Sequence, residues 1–225
     1  LLAEEAPHQD VALYGDIFQC LRRMGAPGID CLGGTPGEAY RQSARMASSA
    51  AELEDRKMVM CEFNDGGESL NAIDMPNDPL FHIRGKINRL LLGGINTFTF
   101  YHNELADDGI KSLNKWVGRC NTMLSKGRRV SDIALLYPVE SLWVRSTPAS
   151  FLAQNTPAKQ VVTDWRHANK TLFAANRDVT YVDGRTLAAS SVTGNGCATA
   201  TLSYGSHLQW RVVILPHADT LPMAA

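Results

Sequence analysis

Three short segments of this chain bring reactive side chains to the ends of apolar runs. Asp30 sits in Ile29-Asp30-Cys31-Leu32, Glu62 follows Met58-Val59-Met60-Cys61, and Tyr101-His102-Asn103-Glu104 closes the run Thr97-Phe98-Thr99-Phe100. Asn64 and Asp65 lie just beyond Glu62. The set is one of carboxylates, amides and aromatics. It contains no glycine-rich phosphate loop and no His/Cys pattern of metal-ligand spacing. Glycoside hydrolysis needs paired carboxylates, one to protonate the leaving oxygen and one to attack or to activate water. Amides and aromatic rings suit the sugar itself. Glu62 is therefore the catalytic candidate, and Asp30, Asn64, His102 and Asn103 are the candidate substrate-binding residues. Plainer roles stand beside these. Glu62 could be neutralised by an Arg or Lys at the rim, Asp30 could cap the next turn, and His102 could be a structural hydrogen-bonder. Glu4 and Glu5 read as surface residues of a helix start, and Trp143 as a packing residue or the lining of a cleft.

These positions matter because of the elements expected to carry them. Strand and helix alternate. Helical spacing covers Val11 to Met24, Glu38 to Arg56, a segment from Pro79 with Leu80, Ile83, Ile87, Leu90 and Leu91 on one face, and a long helix with Ile110, Leu113, Val117, Cys120 and Leu124 in register before Gly127. Asp78 and Pro79 form a helix start, and Gly93-Gly94 a stop. Between these helices lie strands at Ile29–Leu32, Met58–Phe63 and Ile95–Tyr101. Beyond Gly127 the pattern continues with Ile133–Tyr137, a loop to Thr156, a helix over Pro157–Ala175, a strand at Asp178–Asp183, a short helix at Thr186–Ser190, an edge hairpin strand at Thr199–Tyr204 and a third core strand at Arg211–Leu215. Alternation of this kind predicts parallel sheets built from right-handed βαβ units. Ligands bind at the carboxyl ends of such strands, which is where Glu62 and its neighbours fall. In the first region the three strands should be neighbours in chain order. In the second, Ile133–Tyr137 should lie between the other two.

Composition narrows the partners. Among 225 residues, 22 Lys and Arg face 23 Asp and Glu, with no basic stripe, so nucleic acid and anionic membranes are not expected partners. The longest apolar stretch, Ile87 to Tyr101, is interrupted by Gly, Asn and Arg and is too broken to span a bilayer. Cys20, Cys31, Cys61, Cys120 and Cys197 form no CxxC pair and are odd in number, which signals neither zinc nor a disulfide framework. Leu1-Leu2-Ala3 runs directly into Glu4-Glu5 without a signal-peptide pattern. A closed eight-stranded barrel takes about 250 residues, twice the first region. The chain is therefore expected to be a fragment, unable to turn over substrate alone, and the compartment stays open.

A family resemblance adds to this. Gly28-Ile29-Asp30-Cys31-Leu32-Gly33-Gly34, Val59-Met60-Cys61-Glu62-Phe63, and Gly94-Ile95-Asn96-Thr97-Phe98 with His102 resemble the later strands of a glycosidase barrel. Gly127 to Pro138, followed by Trp143, resembles the junction to the next domain. Tyr181-Val182-Asp183 and Val212 to Pro216 resemble strands of that domain. The chain is similar in these segments to the α-L-rhamnosidases of glycoside hydrolase family 106 and, more distantly, to the family 42 β-galactosidases. The resemblance implies an α/β fold made of the C-terminal half of a (β/α)8 TIM barrel, residues 1–127, followed by a flavodoxin-like open parallel α/β domain, residues 128–225. It implies a carbohydrate substrate, with Glu62 matching the seventh-strand carboxylate. That place holds the nucleophile in the large clan of retaining glycosidases, whose acid/base partner sits on the fourth strand. In the rhamnosidase-like family the reaction is inverting and calcium-assisted, so calcium is the one cofactor the resemblance introduces. A periplasmic or extracellular setting would suit such an enzyme. The rival readings are a non-catalytic carbohydrate-binding module and an inactive barrel kept for assembly.

Overall fold

The computed structural model describes residues 15–32, 37–64, 79–101, 105–146, 156–196 and 199–221. The first helix, α1 (Ile17–Arg22), begins where Asp16 accepts a hydrogen bond from the Gln19 N–H at 3.0 Å. The helix expected over Val11–Met24 is thus shorter in its described part, because Gly15 turns the chain at φ +61 and Asp16 caps it. Residues 11–14 lie outside the described residues. Then follow β1 (Gly28–Leu32), α2 (Gly37–Leu53), β2 (Met60–Asn64), α3 (Pro79–Gly93), β3 (Thr97–Tyr101) and α4 (Asp107–Leu124). The strands form a parallel sheet in the order β1-β2-β3, as the spacing predicted. Strands laid down in chain order by right-handed crossovers place their helices on one face. That face is the buried one: Ile29, Cys31, Cys61 and Phe63 are all at most 1% exposed.

The second layer contains β4 (Ile133–Leu136), α5 (Val139–Arg145), α6 (Thr156–Ala174), β5 (Thr180–Val182), α7 (Gly184–Ala188), β6 (Ser191–Thr193), β7 (Thr201–Tyr204), β8 (Leu208–Trp210) and β9 (Val212–Ile214). The parallel sheet runs β5-β4-β9, with β4 central as expected. Three expectations change. β9, expected as a third core strand over Arg211–Leu215, is a sheet edge with Val212 and Val213 exposed. The stretch after Tyr137 is not all loop, because Val139–Arg145 is helical; Val139 and Leu142 are buried under it. Seven residues give too few turns for periodicity to show, and Pro138 read only as a strand stop. Thr201–Tyr204 is no edge strand either. It is the centre of an antiparallel sheet β6-β7-β8, closed over Trp210, which is 1% exposed. The flanking strands have only three residues each, below what an alternation pattern can reveal.

One hydrophobic core runs through both layers. Its pivot is α2, which packs on β1 and on β5. A helix covered on two sides must be buried all round and slender, and the sequence supplies this with Ala44, Ala47, Ala50, Ala51, Ser43, Ser48 and Ser49, all nearly free of solvent. Ser49 Oγ accepts the Tyr181 N–H of β5 at 3.0 Å, so the small polar residues are satisfied as they are enclosed. The end of α3 approaches α2 just as closely. A Cβ on Gly93 would lie 2.5 Å from Ala44 Cβ, and one on Gly94, at φ +102, 2.5 Å from Ser48 Cβ. Charges close the seam. Arg129 bonds Glu52 at 2.8 Å, Asp178 at 3.1 Å and the Thr180 hydroxyl at 2.8 Å. Arg45, 4% exposed on α2, reaches Asp178 and the Leu92 carbonyl.

Candidate functional site

Backbone register decides which candidates meet. Asp30, Glu62 and Thr99 are paired in one row across β1, β2 and β3. In-register residues of parallel neighbours point to the same face, with strands about 4.8 Å apart. Successive residues alternate faces, so this row points away from the face that buries Ile29, Cys31, Cys61 and Phe63. Asp30 and Glu62 are half-buried and Thr99 is exposed. The buried face beneath them is rigid: Phe63 meets Phe100 edge-on with centroids 5.8 Å apart, and Phe100 stacks on Phe98 at 5.4 Å. Two carboxylates and a hydroxyl are therefore carried side by side on a stiff sheet.

β1 ends at Leu32, as expected, and β2 at Asn64, one residue beyond the expected Phe63, so Asp30 and Glu62 stand on the sheet face, two residues short of its carboxyl edge and not at the strand ends. The ladder continues because Cys31 pairs with Phe63, and Leu32 with Asn64, after the charged pair. Charge on one face does not stop a strand whose other face is buried. Asn64 is the last residue of β2, in register with Leu32 and Tyr101. His102 and Asn103 lie outside the described residues, as do Glu4, Glu5 and Asp65. Trp143 is 44% exposed on α5 and contributes nothing to this face.

Chemically, neighbouring carboxylates can divide labour. A pair about 5–5.5 Å apart serves retaining glycoside hydrolysis, and one about 6.5–9.5 Å apart leaves room for a water in the inverting reaction. Strand-neighbour spacing starts near the lower of these ranges. Calcium is a different matter. It takes about 6–8 oxygen ligands, and the described residues gather no group of three or more His, Cys, Asp or Glu able to hold a metal. These residues alone do not make a calcium cage.

A second polar group lies at the carboxyl end of the other parallel sheet, formed by Asp16, Tyr137, Glu140 and Asp183. Tyr137 and Asp183 each directly follow a buried strand. The same strand-end rule that picked out Glu62 would have flagged both; Asp16 and Glu140 arrive from helix starts and carry no such signal. Among the described residues no helix is long and apolar enough to cross a membrane. A scan against protein-family models finds no match to this chain, and a search of curated proteins finds none.

Proposed function

We propose that the protein is part of a carbohydrate-cleaving enzyme that hydrolyses a glycosidic bond, with Glu62 as a catalytic carboxylate. In this reading β1, β2 and β3 are the last three strands of a (β/α)8 barrel, and the second layer is a flavodoxin-like domain behind it. The observation that carries the proposal is the row of Asp30 and Glu62, two carboxylates in register on the face that the helices do not cover. In such hydrolysis the bond from the anomeric carbon to the leaving oxygen breaks. An acid gives that oxygen its proton, while a carboxylate attacks the anomeric carbon or takes a proton from the attacking water. Glu62 serves as the attacking or water-activating carboxylate. Asp30 beside it accepts hydrogen bonds from sugar hydroxyls; Asn64, and His102 and Asn103, which lie outside the described residues, are the further substrate-binding candidates.

The test is Glu62→Gln in the whole enzyme, which keeps shape and removes charge. Turnover of an aryl glycoside should fall by several orders of magnitude while the melting temperature is unchanged. Retention of more than about a tenth of wild-type turnover would put less than about 1.4 kcal/mol of barrier on this group. Glu62 would then be structural, and a binding or assembly module would be the better account.

A further inference from the structure

The group at the carboxyl end of the second sheet plays no part in the proposed hydrolysis. Tyr137, directly after β4, is 1% exposed, its ring held between Phe18 and Trp165 at centroid distances of 6.1 and 5.9 Å. Its hydroxyl is buried and has no hydrogen-bond partner among the described residues. Asp16 caps the helix whose Phe18 packs on this ring, and Glu140 lies in the first turn of the helix that follows Tyr137; burial, then the charges of Asp16 and Glu140, push the phenol far above its ordinary range. Glu140 Oε2 is likewise buried and without a partner. Asp16 uses Oδ1 to accept the Gln19 N–H. Asp183, next to them, is saturated. It accepts from the Thr186 N–H at 2.7 Å and hydroxyl at 2.6 Å, and from Arg22 at 3.0 Å.

Buried polar atoms in folded proteins nearly all have partners. Here the Tyr137 hydroxyl and Glu140 Oε2 lack one, at the carboxyl end of β4. Asp16 and Glu140 are both pushed up from the usual carboxylate range, first by burial and further by the charge of Asp183. Among the described residues no cation is paired with either of them. Arg22 is committed to Asp183 and Glu54, and Arg185 lowers both only through its field. The missing complement is positive and rich in N–H donors. An ammonium group carries one charge and three donors, matching Glu140 Oε2, the Asp16 carboxylate and the Tyr137 oxygen. Asp16 and Glu140 are only half-buried, so the group can be reached from solvent. The strand order reverses at β4, and in open α/β sheets ligands bind outside the carboxyl ends at that point.

We propose that the carboxyl end of the second sheet binds the ammonium group of a small primary amine, held by Asp16, Glu140 and Tyr137. The site is separate from the Asp30–Glu62 face and independent of any reading of that face.

Calorimetric titration and thermal unfolding of the protein at neutral pH test this. The probe is ethylammonium chloride. Tetramethylammonium chloride has the same charge and no N–H donors, and sodium and calcium chloride serve at matched ionic strength. Ethylammonium should bind saturably and raise the melting temperature, and tetramethylammonium should not. Glu140→Gln and Tyr137→Phe should each weaken ethylammonium binding by about tenfold or more. Removing a partnerless buried hydroxyl should leave the melting temperature of the free Tyr137→Phe protein at or above wild type, so its loss of binding is not unfolding. The proposal is overturned by the absence of a saturable response or by an equal response to tetramethylammonium. Saturation by sodium or calcium alone, or undiminished binding in both variants, would overturn it equally.

Discussion

Carboxylates of the same kind meet three fates in this molecule, and the surroundings decide which. Asp164 is held below its ordinary value by a hydrogen bond from His217 at 2.5 Å. Asp16 and Glu140 are pushed up by burial among like charges. Glu62 stands beside Asp30 on an open sheet face. The two raised groups imply a pH dependence with a definite sign. A carboxyl whose folded value is raised binds its proton more tightly in the folded chain. Its contribution is fully present below its ordinary value, 3.8 for Asp16 and 4.5 for Glu140, and is lost as pH rises through the raised value. Asp164 acts in the opposite sense, stabilising above 3.8 and losing this as pH falls through its lowered value. Glu140→Gln should therefore raise the melting temperature at neutral pH, and the gain should shrink below pH 4.5, where the wild-type group is already protonated. Melting curves at both pH values check this. An equal gain at both would mean that charge is not the cause.

At the scale of elements, what the sequence discloses depends on length and on burial of a single face. β1, β2, β3 and β4 were legible because apolar runs such as Met58-Val59-Met60-Cys61 and Ile133–Tyr137 are bounded by polar residues or proline, and their neighbours follow from right-handed crossovers. Glu62 was legible as a charge set in such a run. Its pairing with Asp30 was not, since register is a property of two strands and neither sequence states it. β6, β8 and α5 are too short for periodicity. The double burial of α2 was also hidden. Its sequence reads as a helix with Tyr40, Ala44, Ala47 and Ala51 along one face, but Ser43, Ser48, Ser49 and Arg45 on other faces are buried as well. Small residues recorded a close approach that only the partner makes visible. That approach gives a prediction at Gly94. Alanine there would hold a positive φ at a cost of ~1–2 kcal/mol and press its Cβ into Ser48, where overpacking costs ~1–3 kcal/mol. Gly94→Ala should destabilise the fold by about 2–5 kcal/mol in urea unfolding. Gly25→Ala, with nothing within 4 Å of its Cβ, should change stability little. Equal effects of the two would remove packing against α2 as the reason for Gly94.

For the whole molecule, the question is whether two parallel sheets mean two folding units. By chain position α2 belongs to the first sheet; by packing it serves both, with β1 on one side and β5 on the other. The core is continuous across it, from Ile29 and Phe63 to Tyr181 and Trp165. Arg129, just past the junction expected near residue 127, reaches back to Glu52 at the end of α2 while also holding Asp178 and Thr180. Separation of the layers would expose buried Ala and Ser faces, part Arg45 from Asp178 and part Arg129 from Glu52. The two sheets should therefore open together. Native-state hydrogen exchange can read this directly, because amides of β1–β3 and of β4–β5 report their own opening free energies. Cooperative unfolding predicts one shared value for the slowest amides of both sheets. Arg129→Ala should lower that value by about 1–3 kcal/mol in both sheets at once. The loss falls below the ~3–5 kcal/mol of a fully enclosed pair, because Glu52 and Asp178 keep 25% and 36% of their side-chain exposure. Two distinct plateaus, or a loss confined to the second sheet, would instead make residues before and after 127 separate domains, with α2 a surface of contact and not a shared core.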